Sequence, residues 1–221
     1  MSFVTRFAMP LAAAMAAAIF AQGAGATVTY IPYGVAIPKG ETQVLDFSKF
    51  STAGREQSFY QGSALGYSAA PAFSATTRDT AQYLSIKKGG SETFDLAPTR
   101  LVSVYVGSLD TYNFINFAGL GAVRYTGTQL SVISGAAYGD QTAAPGNQTA
   151  ADTNGRFIFS FQKPVDNITL SSRGNSFEVA NIAAAVPEPA TWAMMLLGVG
   201  LTGASLRGAR RRLAAGDQAA I

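Results

Sequence analysis

Between about residue 27 and residue 185 the chain places apolar and polar residues in short alternating runs separated by turn-forming residues. The clearest run is 156–162, where Phe157, Phe159 and Phe161 share one face of a pleated strand and Ile158, Ser160 and Gln162 share the other. Successive side chains of a strand point to opposite faces, so this spacing predicts a strand with one buried side. Val102, Val104 and Val106 repeat the pattern. Ten strands are expected, over 28–37, 43–50, 82–87, 92–96, 101–107, 112–117, 129–133, 156–162, 165–170 and 176–182. No twelve-residue window carries an apolar stripe at helical period. Lys88-Gly89-Gly90-Ser91 reads as a hairpin turn. Residues 136–155, rich in Gly, Ala, Asn, Gln and Thr, read as a long loop. The pattern predicts an all-β domain, an antiparallel β-sandwich over 27–185 with two apolar faces buried against each other.

The first 26 residues follow a different rule. Arg6 supplies a short positive region, residues 7–21 are uncharged and mostly apolar, and Ala24-Gly25-Ala26 follows. Small side chains at Ala24 and Ala26 match the pocket of signal peptidase, so residues 1–26 read as a cleavable signal peptide, helical before removal. Cleavage after Ala26 leaves Thr27 as the new N-terminus. The apolar run is short for a bilayer span of about 20 residues, and Pro10 interrupts it.

The C-terminal region carries the most specific pattern. Residues 190–206 contain no charge, Trp192 lies near their start, and Arg207, Arg210, Arg211 and Arg212 follow. Seventeen residues sit at the lower limit for a transmembrane helix, the indole of Trp192 suits the lipid–water interface, and the arginines stay cytoplasmic by the positive-inside rule. A plain membrane anchor needs nothing more. Pro187-Glu188-Pro189 adds something an anchor does not need. Each proline fixes φ and removes an amide donor, which leaves an extended segment that a protease can read. The triplet, Trp192-Ala193, the glycine-bearing span and the arginine cluster together resemble a PEP-CTERM sorting signal of the PEPxxWA type, over residues 186–212. The resemblance implies recognition of Pro187, Glu188 and Pro189 by an exosortase, in a Gram-negative bacterium that makes extracellular polysaccharide. It also implies a transient stay in the inner membrane before delivery to the cell surface or matrix. Residues 213–221 continue past the arginines as a cytoplasmic tail, a departure from many members of that family.

Charge and missing residue types narrow the chemistry. The net charge of +3 belongs to the targeting segments, because residues 27–186 hold eleven basic and eleven acidic residues. A nucleic-acid partner calls for a basic face on the domain, and none is visible. The chain has no Cys and no His. That excludes disulfides, thiol nucleophiles, a Ser-His-Asp triad and histidine metal sites. The enzyme routes left are a carboxylate pair, a Ser-Lys dyad or an oxygen-ligated Ca²⁺ site. Ser85-Ile86-Lys87-Lys88 fits S-x-x-K, but that chemistry needs both residues on one helical face, and the expected strand puts them on opposite faces. Asp152-Thr153-Asn154-Gly155 resembles the start of a Ca²⁺ loop without its distal glutamate, and an Asx turn is the simpler reading.

Two further stretches, Gly107-Ser108-Leu109-Asp110-Thr111-Tyr112-Asn113 and Ser176-Phe177-Glu178-Val179-Ala180-Asn181-Ile182, resemble segments of jelly-roll domains in exosortase-dependent surface proteins. In those relatives the second stretch often has an acid where Ala180 stands here. The resemblance implies a jelly-roll-like sandwich and makes Asp110, Tyr112 and Asn113 candidate ligand residues, with turn chemistry as the competing reading. No catalytic residue, no metal ligand and no cofactor is expected, with Ca²⁺ left open. Two functions follow. One is a non-enzymatic surface or matrix protein, with signal peptidase, exosortase and exopolysaccharide as partners. The other is an exported hydrolase using carboxylates alone on polysaccharide, which requires two convergent acids.

Overall fold

The protein is described by a computed structural model covering residues 20–22, 25–34, 36–50, 58–64, 68–136, 147–185, 194–202 and 207. The chain divides into two compact units, Met1–Ala185 and Val186–Ile221. In the first, ten strands are hydrogen-bonded into one antiparallel sheet: β1 Phe20–Gln22, β2 Ala26–Pro32, β3 Thr42–Leu45, β4 Ser58–Gln61, β5 Gln82–Ile86, β6 Ser91–Gly107, β7 Asn113–Gly119, β8 Val123–Thr126, β9 Gly155–Ser172 and β10 Phe177–Ala184. The path runs β1-β2-β9-β6-β10-β5-β4, with β3 on β10 and with β7 and β8 extending from β9.

The expected strands 92–96 and 101–107 are one strand, β6, and 156–162 and 165–170 are one strand, β9. At 17 and 18 residues, both far exceed the usual five or six. They pair along their whole lengths, 91–95 with 167–171 and 101–106 with 155–160, with register shifts around Thr99. Pro98 and Pro164 lie at that break, where a proline cannot donate to the ladder. The first half of β9 pairs with β2, and its second half pairs with β7.

This arrangement brings β7 and β8 over the phenylalanine face of β9. The ring of Phe117 on β7 lies 4.9 Å from Phe159 and 4.8 Å from Phe161, and Tyr125 on β8 lies 5.1 Å from Phe159. Phe157, Phe159 and Phe161 are all buried, as are Val102, Val104 and Val106. A second aromatic group joins Phe47, Phe50, Phe59 and Phe94, with the Phe47 and Phe94 centroids 5.9 Å apart. The alternation read in the sequence is therefore the alternation of core and outside, but it is built on one sheet whose two central strands run through both halves.

Two local expectations are corrected. Residues 129–133 are not a strand but part of helix α1, Gly127–Ser134. Thr126 and Gln129 form a reciprocal capping box, and Gly135 closes the helix in the left-handed conformation at φ 78°. Leu130 and Ile133, three apart on one helical face, are buried, while Val132 is exposed. Local capping thus overrides the apparent alternation. Residues 88–91 do turn, with Gly90 N–H donating to the Lys87 carbonyl at 2.8 Å, but they do not close a hairpin. Strands β5 and β6 both flank β10, on opposite sides.

The Phe159 ring sits where both halves of the sheet meet. Replacing it by alanine should cost about 3–5 kcal/mol of unfolding free energy, measured by urea titration followed by circular dichroism.

Candidate functional site

Asp110, Tyr112 and Asn113 fall in the connection from β6 to β7 and are brought against the 173–176 turn between β9 and β10. Asn113 is fully buried, and its Oδ1 accepts from Ser172 Oγ at 3.0 Å. Asp110 is buried, and its carbonyl accepts from Asn113 N–H at 3.1 Å. The Tyr112 hydroxyl donates to the Asn175 carbonyl at 2.8 Å, and Arg173 N–H donates to the Tyr112 carbonyl at 3.0 Å. Only glycine fits beneath this ring, because a Cβ on Gly174 would lie 2.6 Å from it. Burial, and then the nearby Asp110, push the Tyr112 phenol well above its usual range. These contacts hold two connections together, and burial leaves Asp110 and Asn113 little surface to offer a ligand.

The residues that gather most polar contacts lie in the stretches 176–182 and 152–155, where the sequence names no candidate ligand residue. Strand β10 reads Phe177-Glu178-Val179-Ala180-Asn181-Ile182, and all six side chains are buried. Glu178 accepts from Ser108 Oγ at 2.8 Å, from Ser68 Oγ and Ala69 N–H at 3.3 Å each, and from Ser176 Oγ at short range. Ala180 lies at a register shift between Val179 and Asn181, so it marks a bulge in the strand. Asn154 takes a similar central position: its Oδ1 accepts from Ala72 N–H at 3.0 Å and Ser108 N–H at 3.1 Å, and its Nδ2 donates to the carbonyls of Asn147 and Ala150. Tyr105 donates to the Ala72 carbonyl, and Tyr83 donates to Ser68 Oγ at 3.0 Å. The segment 68–81 is thereby pinned across the sheet face opposite the phenylalanines. Asp152, Thr153 and Asn154 lie in a turn closed by backbone bonds from Thr153 and Asn154 N–H to the Ala150 carbonyl, not by the Asp152 side chain, whose Oδ1 accepts no hydrogen bond among the described residues.

Arg156 lies deeper on the same face, 1% exposed, donating to Ser103 Oγ at 2.9 Å and Asn181 Oδ1 at 2.6 Å. Burial lowers its pKa, and the neighbouring Glu41 and Tyr105 partly offset this. Glu41 is 8% exposed, and neither carboxylate oxygen accepts a hydrogen bond. Burial raises its pKa against the smaller opposing pulls of Ser103 and Arg156. One cue was legible: an acid inside a fully apolar run, as at Glu178, marks a buried carboxylate that must find donors.

Ser85 is fully buried in β5, with Lys87 Nζ donating to its hydroxyl at 3.3 Å. Among the described residues no group of three or more acidic side chains is arranged to hold a metal ion. Of the processing residues, Ala26 opens β2 and pairs with Phe161, so cleavage after it removes β1 and makes β2 the edge. Ala24, Pro187, Glu188, Pro189, Trp192, Arg210, Arg211 and Arg212 lie outside the described residues. In the second unit residues 194–202 are helical with every side chain exposed, including Met194, Leu196 and Val199, and Arg207 is also helical and exposed. Among the described residues no helix is long and apolar enough to cross a membrane.

Comparison with protein families matches residues 185–212 to the PEP-CTERM protein-sorting motif. Comparison with curated proteins and with solved structures returns no match. The motif marks an exported protein that is sorted by an exosortase at the membrane and then delivered to the surface.

Two outcomes follow from the buried acids. Glu178→Gln should lower stability by about 2–4 kcal/mol in denaturant titration, because the amide nitrogen meets donors where an oxygen accepted them. For Glu41 the folded state holds its proton to higher pH than the unfolded chain does. Stability should therefore fall as pH rises from about 4.3, the unfolded value, through the raised folded value. Glu41→Gln should flatten that part of a pH–stability profile recorded by thermal melts.

Proposed function

We propose that this chain, which bears a C-terminal PEP-CTERM sorting motif, is a non-enzymatic surface or matrix protein of a Gram-negative bacterium. Its β domain contacts exopolysaccharide, and an exosortase releases it from the inner membrane after signal peptidase has removed residues 1–26. The observation that carries this reading is the motif match over residues 185–212. Support for a non-catalytic domain comes from where its polar chemistry sits. Glu178, Asn154 and Arg156 are committed to buried hydrogen bonds, and Ser85 has no surface from which to attack a substrate. Catalysis needs reactive groups open to a substrate-sized cleft, and these groups hold connections in place instead. No metal or organic cofactor belongs to this reading. The basis for export is the pair of terminal segments, the apolar run after Arg6 and the motif before the arginine cluster.

The Pro187→Ala, Glu188→Ala double substitution separates sorting from simple anchoring, since both models share the apolar run and the arginines. The substitution removes one proline's bar to helix and the side chains a protease would read. Cell fractionation should find full-length protein accumulating in the inner membrane and the surface fraction depleted at least tenfold. Normal surface delivery would make residues 190–206 a plain anchor.

A further inference from the structure

The outer face of the sheet half built from β6, β9, β7 and β8 presents an ordered polar array. The strand registers align Thr93, Thr169, Asn116 and Arg124 in one row across all four strands. Ser91, Ser171, Phe114 and Thr126 form the next row, and Asp95, Asn167 and Ala118 a third. The opposite side of these strands is core, with Phe94, Ile168, Leu170, Ile115, Phe117 and Tyr125 buried. Thr93 and Thr169 share a hydrogen bond at 2.8 Å, which fixes their hydroxyls. Four strands set about 4.8 Å apart make this face roughly 14 Å wide.

One corner of the array is cationic and pre-oriented. The guanidinium of Arg124 lies 4.4 Å from the Phe114 ring centroid, and that of Arg173 lies 5.1 Å from the same ring. Both arginines are exposed, whereas Phe114 is 8% exposed beneath them. Among the described residues neither guanidinium makes an ion pair or a hydrogen bond. Stacking on the ring holds each planar fork in place while its N–H groups stay available, and this costs less ordering when a carboxylate binds both prongs.

Resting on the reading that the exported domain contacts a polysaccharide, we infer that this face binds an acidic one: uronate carboxylates are gripped at Arg124 and at Arg173, and the sugar hydroxyls lie along the Thr93–Thr169–Asn116 row. Charge and composition select this partner. Hydroxyl and amide side chains exchange hydrogen bonds with sugar hydroxyls, and two unpaired guanidiniums demand an anion. A nucleic acid needs a continuous track of cations along its phosphates, and here Asp95 occupies the far row. A lipid surface needs exposed apolar side chains, and the three described rows of this face hold just Ala118 and the covered Phe114.

The test uses the detergent-solubilised full chain, with oligogalacturonate, its methyl ester and single-stranded DNA as probes in isothermal titration at low salt. The free acid should bind at least tenfold more tightly than the ester, and more tightly than the DNA. Arg124→Gln with Arg173→Gln should abolish the preference for the free acid. Should that double variant lose its fold because Phe114 is uncovered, Thr169→Glu serves in its place. It puts a negative charge in the middle row without touching the ring, and should weaken free-acid binding at least tenfold. Equal binding of acid and ester, or binding unchanged by Thr169→Glu, would overturn the inference and leave the broader polysaccharide reading standing. DNA bound as tightly as the acid would make the corner a general polyanion site and also overturn it. No binding of any probe would overturn both.

Discussion

The pairing of β6 with β9 is the constraint on which the rest of the domain depends. Strands β2, β7 and β10 pair directly with one of these two, β1, β3, β5 and β8 pair with those neighbours, and β4 follows through β5. Two antiparallel strands of 17 and 18 residues, drawn out straight, would reach nearly 60 Å, far longer than a domain of this size can cover with apolar partners. The ladder therefore shifts register where Pro98 and Pro164 sit, and each strand serves two halves of the sheet. One half buries the phenylalanines of β9, and the other carries β7 and β8 over them. The apolar stripe Phe157, Phe159 and Phe161 is where the two halves close on each other.

On the opposite side of the first half the same strands do something less common. Arg156 and Ser103 from the central pair, Asn181 and Glu178 from β10, and Asn154 from the turn before β9 form a buried polar layer beneath the segment 68–81. Each buried polar group must recover in the fold the hydrogen bonds it gave up in water. Glu178 recovers them from serines and a backbone amide. Glu41 does not, and its raised pKa is the consequence. Such a layer fixes one path for a connection that carries little regular structure of its own, and it draws the chemically versatile side chains away from solvent.

Much of the strand content was legible from period-two alternation, because Phe157–Phe161 and Val102–Val106 must place alternate side chains on the core side. Alternation alone does not report how far a strand continues through a proline, so β6 and β9 were each read as two strands. Nor does it weigh capping: Thr126 with Gln129 made a helix of a segment read as a strand. The candidate ligand residues Asp110, Tyr112 and Asn113 are neighbours in sequence, but the contacts that hold Tyr112 and Asn113 come from Asn175 and Ser172, some sixty positions away. Arg124 and Arg173 were invisible as a pair for the same reason, since only the register of β7 with β8 and β9 brings both onto Phe114. The sorting motif needed no structure, because its elements are adjacent in the sequence.

On the proposed route an export system delivers this β domain to the surface and cuts away both terminal segments. Intact-mass spectrometry of the protein recovered from the outside of cells tests this most directly, since one measurement reports both ends of the chain. The expected mass is that of a chain beginning within a residue or two of Thr27 and ending within Pro187-Glu188-Pro189 or immediately beside it, allowing for a group attached at the new C-terminus. A surface-recovered species whose mass still includes residues 190–221 would contradict it.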